Sequence, residues 1–525
     1  MSSGNIESLI IMTYKKIMIV GGGSAGWITA ALMNGIMNKN GQKKVDISLI
    51  ESPDIPRIAV GEATVPNIRQ ILITLGIDEL DFMKSTDATF KQGIKFNNWL
   101  HNTGDSYYHQ FSRYTPNMVD TFGQEWLKSD RSIPFADTIS VQPALCEMNL
   151  SPKLIGLRQH QIPVSYAYHL NALKMADYLR DIAVGQGVTH YLDNITKVDM
   201  TEQGDIAAVN TEKGSRYEAD LFVDCTGFAS LLIEKELGIG WEDFSDYLFC
   251  DRACVMQVPY ETYYPGRVNS VTQATALSAG WIWDIPLTNR RGIGHVYSSA
   301  FITDDDAEKE LRTYEGAHSD HLSTRVVHFQ VGRRKKTWAA NCVAIGLSGG
   351  FLEPLESTGL YLVQTAALLL AEHFPFDGQM KELSDKFNIL MSDRFDEILS
   401  FINLHYCLTQ RTDTDFWQEV QRPEHILRAL QEKLDYWKIK PPSQSDFKDQ
   451  YTLFTHQNHE LVLYGMDFLK DHYRQKYGPE LSSPIVPGFI QQRLQAMQSQ
   501  LPLHDEWLHH SLGMPRYPSA YASGV

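Results

Sequence analysis

The sequence predicts an α/β protein with a mixed β-sheet inserted into it and a mainly helical C-terminal region. Three observations carry this. An apolar strand, Lys16 to Val20, runs straight into a glycine-rich turn and an amphipathic helix. Two short apolar segments ending on glycine, Asp220 to Gly227 and Asn341 to Gly346, return far downstream. Beyond Gly359, apolar residues change to three- and four-residue spacing, the period of a helix.

At 525 residues the chain exceeds one ordinary core. Its 43% hydrophobic and 21% charged residues describe a globular protein. No apolar run is long enough for a bilayer, and Met1 to Ile11 lacks the basic leader and apolar core of a signal peptide. A loose tail over 1–14 and no membrane partner are expected. The net charge of -16 argues against nucleic acid, and Arg333 to Lys336 reads as a solvated turn. Only Cys250 and Cys254 of six cysteines lie close together, so neither zinc nor any other metal is expected, and a reducing, cytoplasmic setting is.

Gly21-Gly22-Gly23-Ser24-Ala25-Gly26 fits G-x-G-x-x-G, and the following helix carries Ile28, Ala31, Leu32 and Ile36 on or near one face. The next strand, Val45 to Ile50, ends at Glu51, where an acid reaches a ribose hydroxyl while a diphosphate rests on the helix N-terminus. Together these elements specify a Rossmann-like dinucleotide site. The late returns at Asp220 to Gly227 and Asn341 to Gly346 favour an FAD domain of the hydroxylase type, discontinuous in sequence, with NAD a minor alternative.

Between the returns, Gly280-Trp281-Ile282-Trp283-Asp284-Ile285-Pro286 reads as a strand. Residues two apart share a face, so Trp281 and Trp283 present two indoles side by side, and Pro286 ends the ladder. The pair is either plain core or a wall guarding something reactive. Leu360 to His373 and Phe387 to Tyr406 read as helices, Pro441-Pro442 and Pro484 to Pro487 as breaks, and 516–525 as a loose tail. The layout expected is 15–360 for the FAD domain with its inserted sheet and 361–515 for the helical part.

Taken alone, Lys91 beside Phe90 would be a surface charge with a packed stem, and Glu356 a helix cap. His109 in Tyr107-Tyr108-His109-Gln110-Phe111 would be a core histidine.

The set as a whole resembles flavin-dependent halogenases of the tryptophan-halogenase type. The matching stretches are Gly21-x-Gly23-x-x-Gly26-Trp27, Ser52-Pro53-Asp54-Ile55-Pro56 and Val60-Gly61-Glu62-Ala63-Thr64-Val65-Pro66. Phe90-Lys91-x-x-Ile94-Lys95-Phe96 and Trp281-x-Trp283-x-Ile285-Pro286 follow. Phe351-x-Glu353-Pro354-Leu355-Glu356-Ser357-Thr358-Gly359 and Arg411-Thr412-Asp413-Thr414-x-Phe416-Trp417 complete it.

The resemblance implies a two-component enzyme. FADH2 from a separate NAD(P)H-dependent flavin reductase, O2 and a halide (chloride, bromide or iodide) would yield hypohalous acid. That acid would travel inside the protein to an aromatic substrate. By this resemblance Lys91 is catalytic, hydrogen-bonding the hypohalous acid or forming a haloamine, with Glu356 as general base and Ser357 assisting; Lys95 is expected to matter much less. Gly21, Gly23, Ser24, Ala25, Gly26, Glu51, Ala63, Thr64 and Gly346 would hold FAD, and the amides of Thr358 and Gly359 the halide. His109 and Phe111 would flank the arene, and Trp281 and Trp283 would separate it from the flavin. The stretch Asp449 to Asn458 keeps Phe454 and Asn458 for substrate but lacks a doubled aromatic, and its only acid is Asp449. This points to indoles or other electron-rich arenes without a strict zwitterion requirement. Rival readings are a flavin monooxygenase that hydroxylates the arene directly, disfavoured by the tryptophan and Lys/Glu pairs, and a non-catalytic flavoprotein. A homo-oligomer is left open.

Overall fold

The computed structural model describes residues 15–39, 42–57, 61–114, 121–157, 161–447, 452–469, 472, 482–484 and 486–518. The tail expected at 1–14, and that at 516–525 beyond residue 518, lie outside them.

The nucleotide half is a six-stranded sheet. Its order is Trp338–Ala339, Cys342–Ala344, Leu221–Asp224, Lys15–Val20, Val45–Glu51 and Thr189–Leu192. All pairings are parallel except that of the edge strand Trp338–Ala339. Ile17, Met18, Ile19 and Val20 are all buried, as a central parallel strand covered on both faces requires. Of the two late returns, Leu221–Asp224 thus lies next to the first strand and Cys342–Ala344 lies next to Leu221–Asp224. The helix Ser24–Met37 packs against the helices Ala172–Gly185 and Gly359–Glu372.

The second sheet has seven strands: Thr324–His328, Arg252–Pro259, Arg290–Tyr297, Gly280–Pro286, Thr272–Ala276, Gly93–Asn97 and Ser106–Gln110. It is mixed, because Thr272–Ala276 runs parallel to Gly93–Asn97 while its other pairings are antiparallel. The sequence reading confined this sheet to the insertion. Two strands from before residue 111 complete it, because Gly93–Asn97 hydrogen-bonds across a long chain separation.

Trp281 and Trp283 share a face, with ring centroids 6.3 Å apart, and both belong to the large core cluster. Ile282 between them points the other way, into a separate cluster. Room for the second indole comes from small cross-strand neighbours, Ala274 and Gly294. A Cβ on Gly294 would lie 2.2 Å from the Trp283 ring.

The basic run is a solvated turn only at Lys335 and Lys336, which are exposed; its two arginines are not. Gly332–Arg334 is a strand, Arg334 is buried against Ser230 and Glu234, and Arg333 pairs with Glu242 and Asp396. Carboxylates brought in from distant segments make burial of these guanidiniums affordable. After Gly359 the chain is mainly helical, as expected, with Gly359–Glu372 and Lys381–Cys407 the longest segments among the described residues.

Candidate active site

The site has two ends. At the first, Gly21 (φ 110°) turns the chain so tightly that a Cβ would meet the Cys225 carbonyl at 2.3 Å. A Cβ on Gly26 would sit 1.9 Å from the Gly21 oxygen. Both glycines are therefore demanded by the protein's own packing. Gly23 differs: it caps the helix Ser24–Met37 without a side-chain hydrogen bond, and a Cβ there would meet nothing within 4 Å. The cradle beside it is open, and the uncapped helix amides face it, as a diphosphate requires. The residues fit a dinucleotide.

Gly346 (φ 79°) closes onto the same helix start, its absent Cβ standing 2.7 Å from Ala25. Ser24 donates to the Ala172 carbonyl. Glu51 ends its strand as expected, and its carboxylate accepts from Arg57 at 2.9 Å and from His190 at 2.9 Å. A carboxylate has about four lone-pair positions, so a ribose hydroxyl can be added to these contacts.

The open space at Gly23 yields a clean test. Gly23→Val is expected to melt near the wild-type temperature yet bind FAD about tenfold or more weaker, read by fluorescence titration. Gly26→Val, which collides with backbone, should lose stability instead. Wild-type FAD affinity in the Gly23 variant would remove the fingerprint assignment.

At the second end, a three-stranded sheet orders Gly61–Ala63, Ala167–Asn171 and Thr89–Lys91. Thr64 follows the first strand, and its carbonyl accepts from Lys91 Nζ at 3.2 Å. Thr64, expected at the cofactor, touches the lysine, and Ala63 before it is buried. Lys91 Nζ also donates to Ser357 Oγ at 2.9 Å and lies 5.4 Å from the Phe111 ring centre. The side chain is 0% exposed. An ammonium has three donors, so one N–H stays uncommitted among the described residues. Burial pushes the lysine down to about 7, with Glu356 opposing the fall. Lys95 is different: partly exposed, it pairs with Glu147.

Glu356 is buried, and its carboxylate accepts from His109 Nδ1 at 2.9 Å. Desolvation would raise its pKa, but His109 and His405 outweigh that and hold it at about 2. The protonation of His109 is set one residue further out. Asn458 Oδ1 accepts from the Thr455 amide at 2.9 Å, in the capping box of the helix His456–Gly465. Its Nδ2 must then face His109 Nε2, 2.9 Å away, which accepts and leaves the proton on Nδ1, aimed at Glu356. Asn458 is thereby brought to the site as a support for His109. Phe454 stacks on Phe401 at 3.9 Å and lies 6.2 Å from the His109 ring, so it too backs the histidine.

Ser357 adopts φ 59°, which turns the chain between Glu356 and the helix Gly359–Glu372. That helix begins at Thr358 without a side-chain cap, and a Cβ on Gly359 would meet nothing within 4 Å. Open space at a positive helix end suits an anion.

Two residues escaped the sequence reading. His405 Nε2 stands 3.0 Å from Glu356 Oε1, while its Nδ1 donates to the Phe401 carbonyl. A carbonyl only accepts, so the contact with Glu356 attracts only with a proton between them. Glu353 is fully buried and accepts from Tyr406 at 2.7 Å; burial pushes it up to about 7. His405 sits four residues after Phe401, a spacing that reads as core stripe; only its facing partner reveals more.

A family profile described as tryptophan halogenase matches residues 16–478. The tryptophan 7-halogenase of Lentzea aerocolonigenes is 34% identical, over 95% of this chain and 99% of that protein. The crystal structure of a tryptophan halogenase from Shewanella frigidimarina superposes with a TM-score of 0.88 at 36% identity, covering 96% of this chain and 98% of the other. A flavin-dependent halogenase from Xanthomonas campestris gives 0.82 at 32%, covering 96% and 99%.

Proposed function

Since the chain belongs to the tryptophan halogenase family and is a flavin-dependent halogenase of aromatics, we propose that Lys91 delivers the halogen and Glu356 takes the displaced proton. One observation supports this above all: a buried lysine with a spare N–H shares its surroundings with a carboxylate held charged by imidazoles. The family implies FAD and a halide. Bound FADH2 supplies the oxidation FADH2 + O2 + X⁻ + H⁺ → FAD + HOX + H2O.

The chain's own residues do the rest. The spare N–H of Lys91 donates to the oxygen of HOX and fixes the halogen toward the arene. In its amine form, which burial favours, Nζ takes the halogen directly and releases water. An arene carbon attacks the halogen, forming a C–X bond while the bond from halogen to O or N breaks; the departing oxygen takes a proton from the Lys91 ammonium and leaves as water, and on the haloamine path Nζ takes up a proton and leaves as the neutral amine. The ring proton passes to a Glu356 oxygen. A protonated arene is a very strong acid, so even a weakly basic carboxylate accepts from it. His109 and Phe111 position the arene, and Ser357 holds the lysine. The amides of Thr358 and Gly359 hold the halide, and the two indoles of Trp281 and Trp283 keep arene and flavin apart. Indoles and other electron-rich arenes are the substrates this arrangement serves. FADH2 arrives from a separate NAD(P)H-dependent reductase. The reducing cytoplasm suits six cysteines that are all free, and no helix among the described residues is long and apolar enough to cross a membrane.

Incubation with reduced FAD, oxygen, bromide and indole, followed by mass spectrometry, tests the reading. A bromine isotope pair on the product is expected. A gain of one oxygen instead would make the protein a hydroxylating monooxygenase.

A further inference from the structure

A cavity of about 300 Å³ opens beside Phe111, the ring that also lies under Lys91. Its volume is at the low end for ligand sites, room for one small molecule rather than a peptide. The run Phe111 to Tyr114 forms one wall and Ile162 to Ser165 another, with Phe489 and Arg493 at the helix Gly488–Gln500. Its apolar surface comes from side chains such as Ile139, Val164 and Ile490.

The charges are one-sided. Two guanidiniums line the cavity, Arg113 and Arg493, and no Asp or Glu does among the described residues. Glu460 pairs with Arg113 from behind the wall. Its Oε2 accepts from Arg113 at 2.7 Å, and its Oε1 from Tyr464 at 3.4 Å. Gly123 closes over it, where a Cβ would stand 1.8 Å from Oε1. Glu460 is 3% exposed. Arg493 is exposed, with its guanidinium anchored on the Pro163 carbonyl at 2.6 Å. An ammonium entering here would meet a cation and, among the described lining residues, no anion. A carboxylate would meet Arg493.

We propose that this cavity takes the side chain of indole carboxylic acids, with the ring at Phe111, an apolar linker along Val164 and Ile490, and the carboxylate at Arg493, and that it discriminates against amines. The inference rests on the reading of Lys91 and Glu356 as the halogenating pair, and it narrows the substrate class of that same site.

Indole-3-propionate, tryptophan and tryptamine share one ring and differ in side-chain charge, so they separate the terms. Calorimetric titration of each into the purified full chain measures binding, and bromination with reduced FAD measures turnover. Indole-3-propionate is expected to bind about tenfold tighter than tryptamine, with tryptophan between, as a rim charge pair reversed in sign would give. Its kcat/KM should lead by a similar factor. Arg493→Glu, a change on an exposed helix position, should bring tryptamine level or ahead. Equal or tighter binding of tryptamine or tryptophan to wild type would overturn the proposal, as would a preference indifferent to Arg493→Glu. If indole-3-propionate binds as expected but neither it nor indole is brominated, the halogenating pair fails while the cavity assignment stands.

Discussion

Lys91→Met is expected to lower halogenation by about 10²–10⁴-fold, the range for losing one group that acts on the reacting atoms, while FAD binding and folding persist. Methionine matches the lysine stem in length and leaves no large cavity. It strips partners from two acceptors, the Thr64 carbonyl and Ser357 Oγ. An unpaired buried acceptor costs about 1–3 kcal/mol. Against that, the variant removes a cation whose burial is unfavourable enough to depress it to about 7. The sign of the pH effect follows. Between about 7 and the ordinary lysine value near 10.5, the unfolded chain holds a proton on this group that the folded one does not. Folding stability from Lys91 therefore rises with pH across that window, and its unfavourable contribution is fully present below it. Melting curves of wild type and Lys91→Met at pH 6 and pH 9 should show the variant gaining relative to wild type at the lower pH. Halogenation surviving in the variant would take Lys91 out of the chemistry.

Glu356→Gln is expected to reduce turnover by about 10²-fold or more with little structural change. The amide can present its oxygen to His109 Nδ1–H and one N–H to a singly protonated His405, so both contacts of the carboxylate with the histidines are kept. What is lost is the ability to take a proton. Product-forming rates under single-turnover conditions measure the loss, and rates equal to wild type would end the general-base role. The carboxylate is depressed to about 2, so its favourable contribution to stability is present above the ordinary carboxylate value near 4.5 and fades only as pH falls toward 2.

Much of the first end was legible because its rules are local. Gly21 and Gly26 announce a turn that no Cβ fits, and strand alternation placed Trp281 and Trp283 on one face without coordinates. The second end was legible only by its motifs. Nothing in one sequence states that Asn458, in a capping box, dictates which nitrogen of His109 holds the proton. His405 looked like one more residue in a helical stripe. Arg333 and Arg334 misled because charge runs are usually solvated, whereas here Glu234, Glu242 and Asp396 arrive from far along the chain. That Gly93–Asn97 joins the second sheet was illegible for the same reason: its partner strand, Thr272–Ala276, lies far along the chain.

The hydrogen atom that serves as the side chain of Gly294 has a consequence for engineering this protein. The tilt of the Trp283 ring is dictated from below, by a neighbour with no bulk to push back. Enlarging residue 294 by one methyl would evict the indole from its berth, without altering a tryptophan, the lysine or the carboxylate.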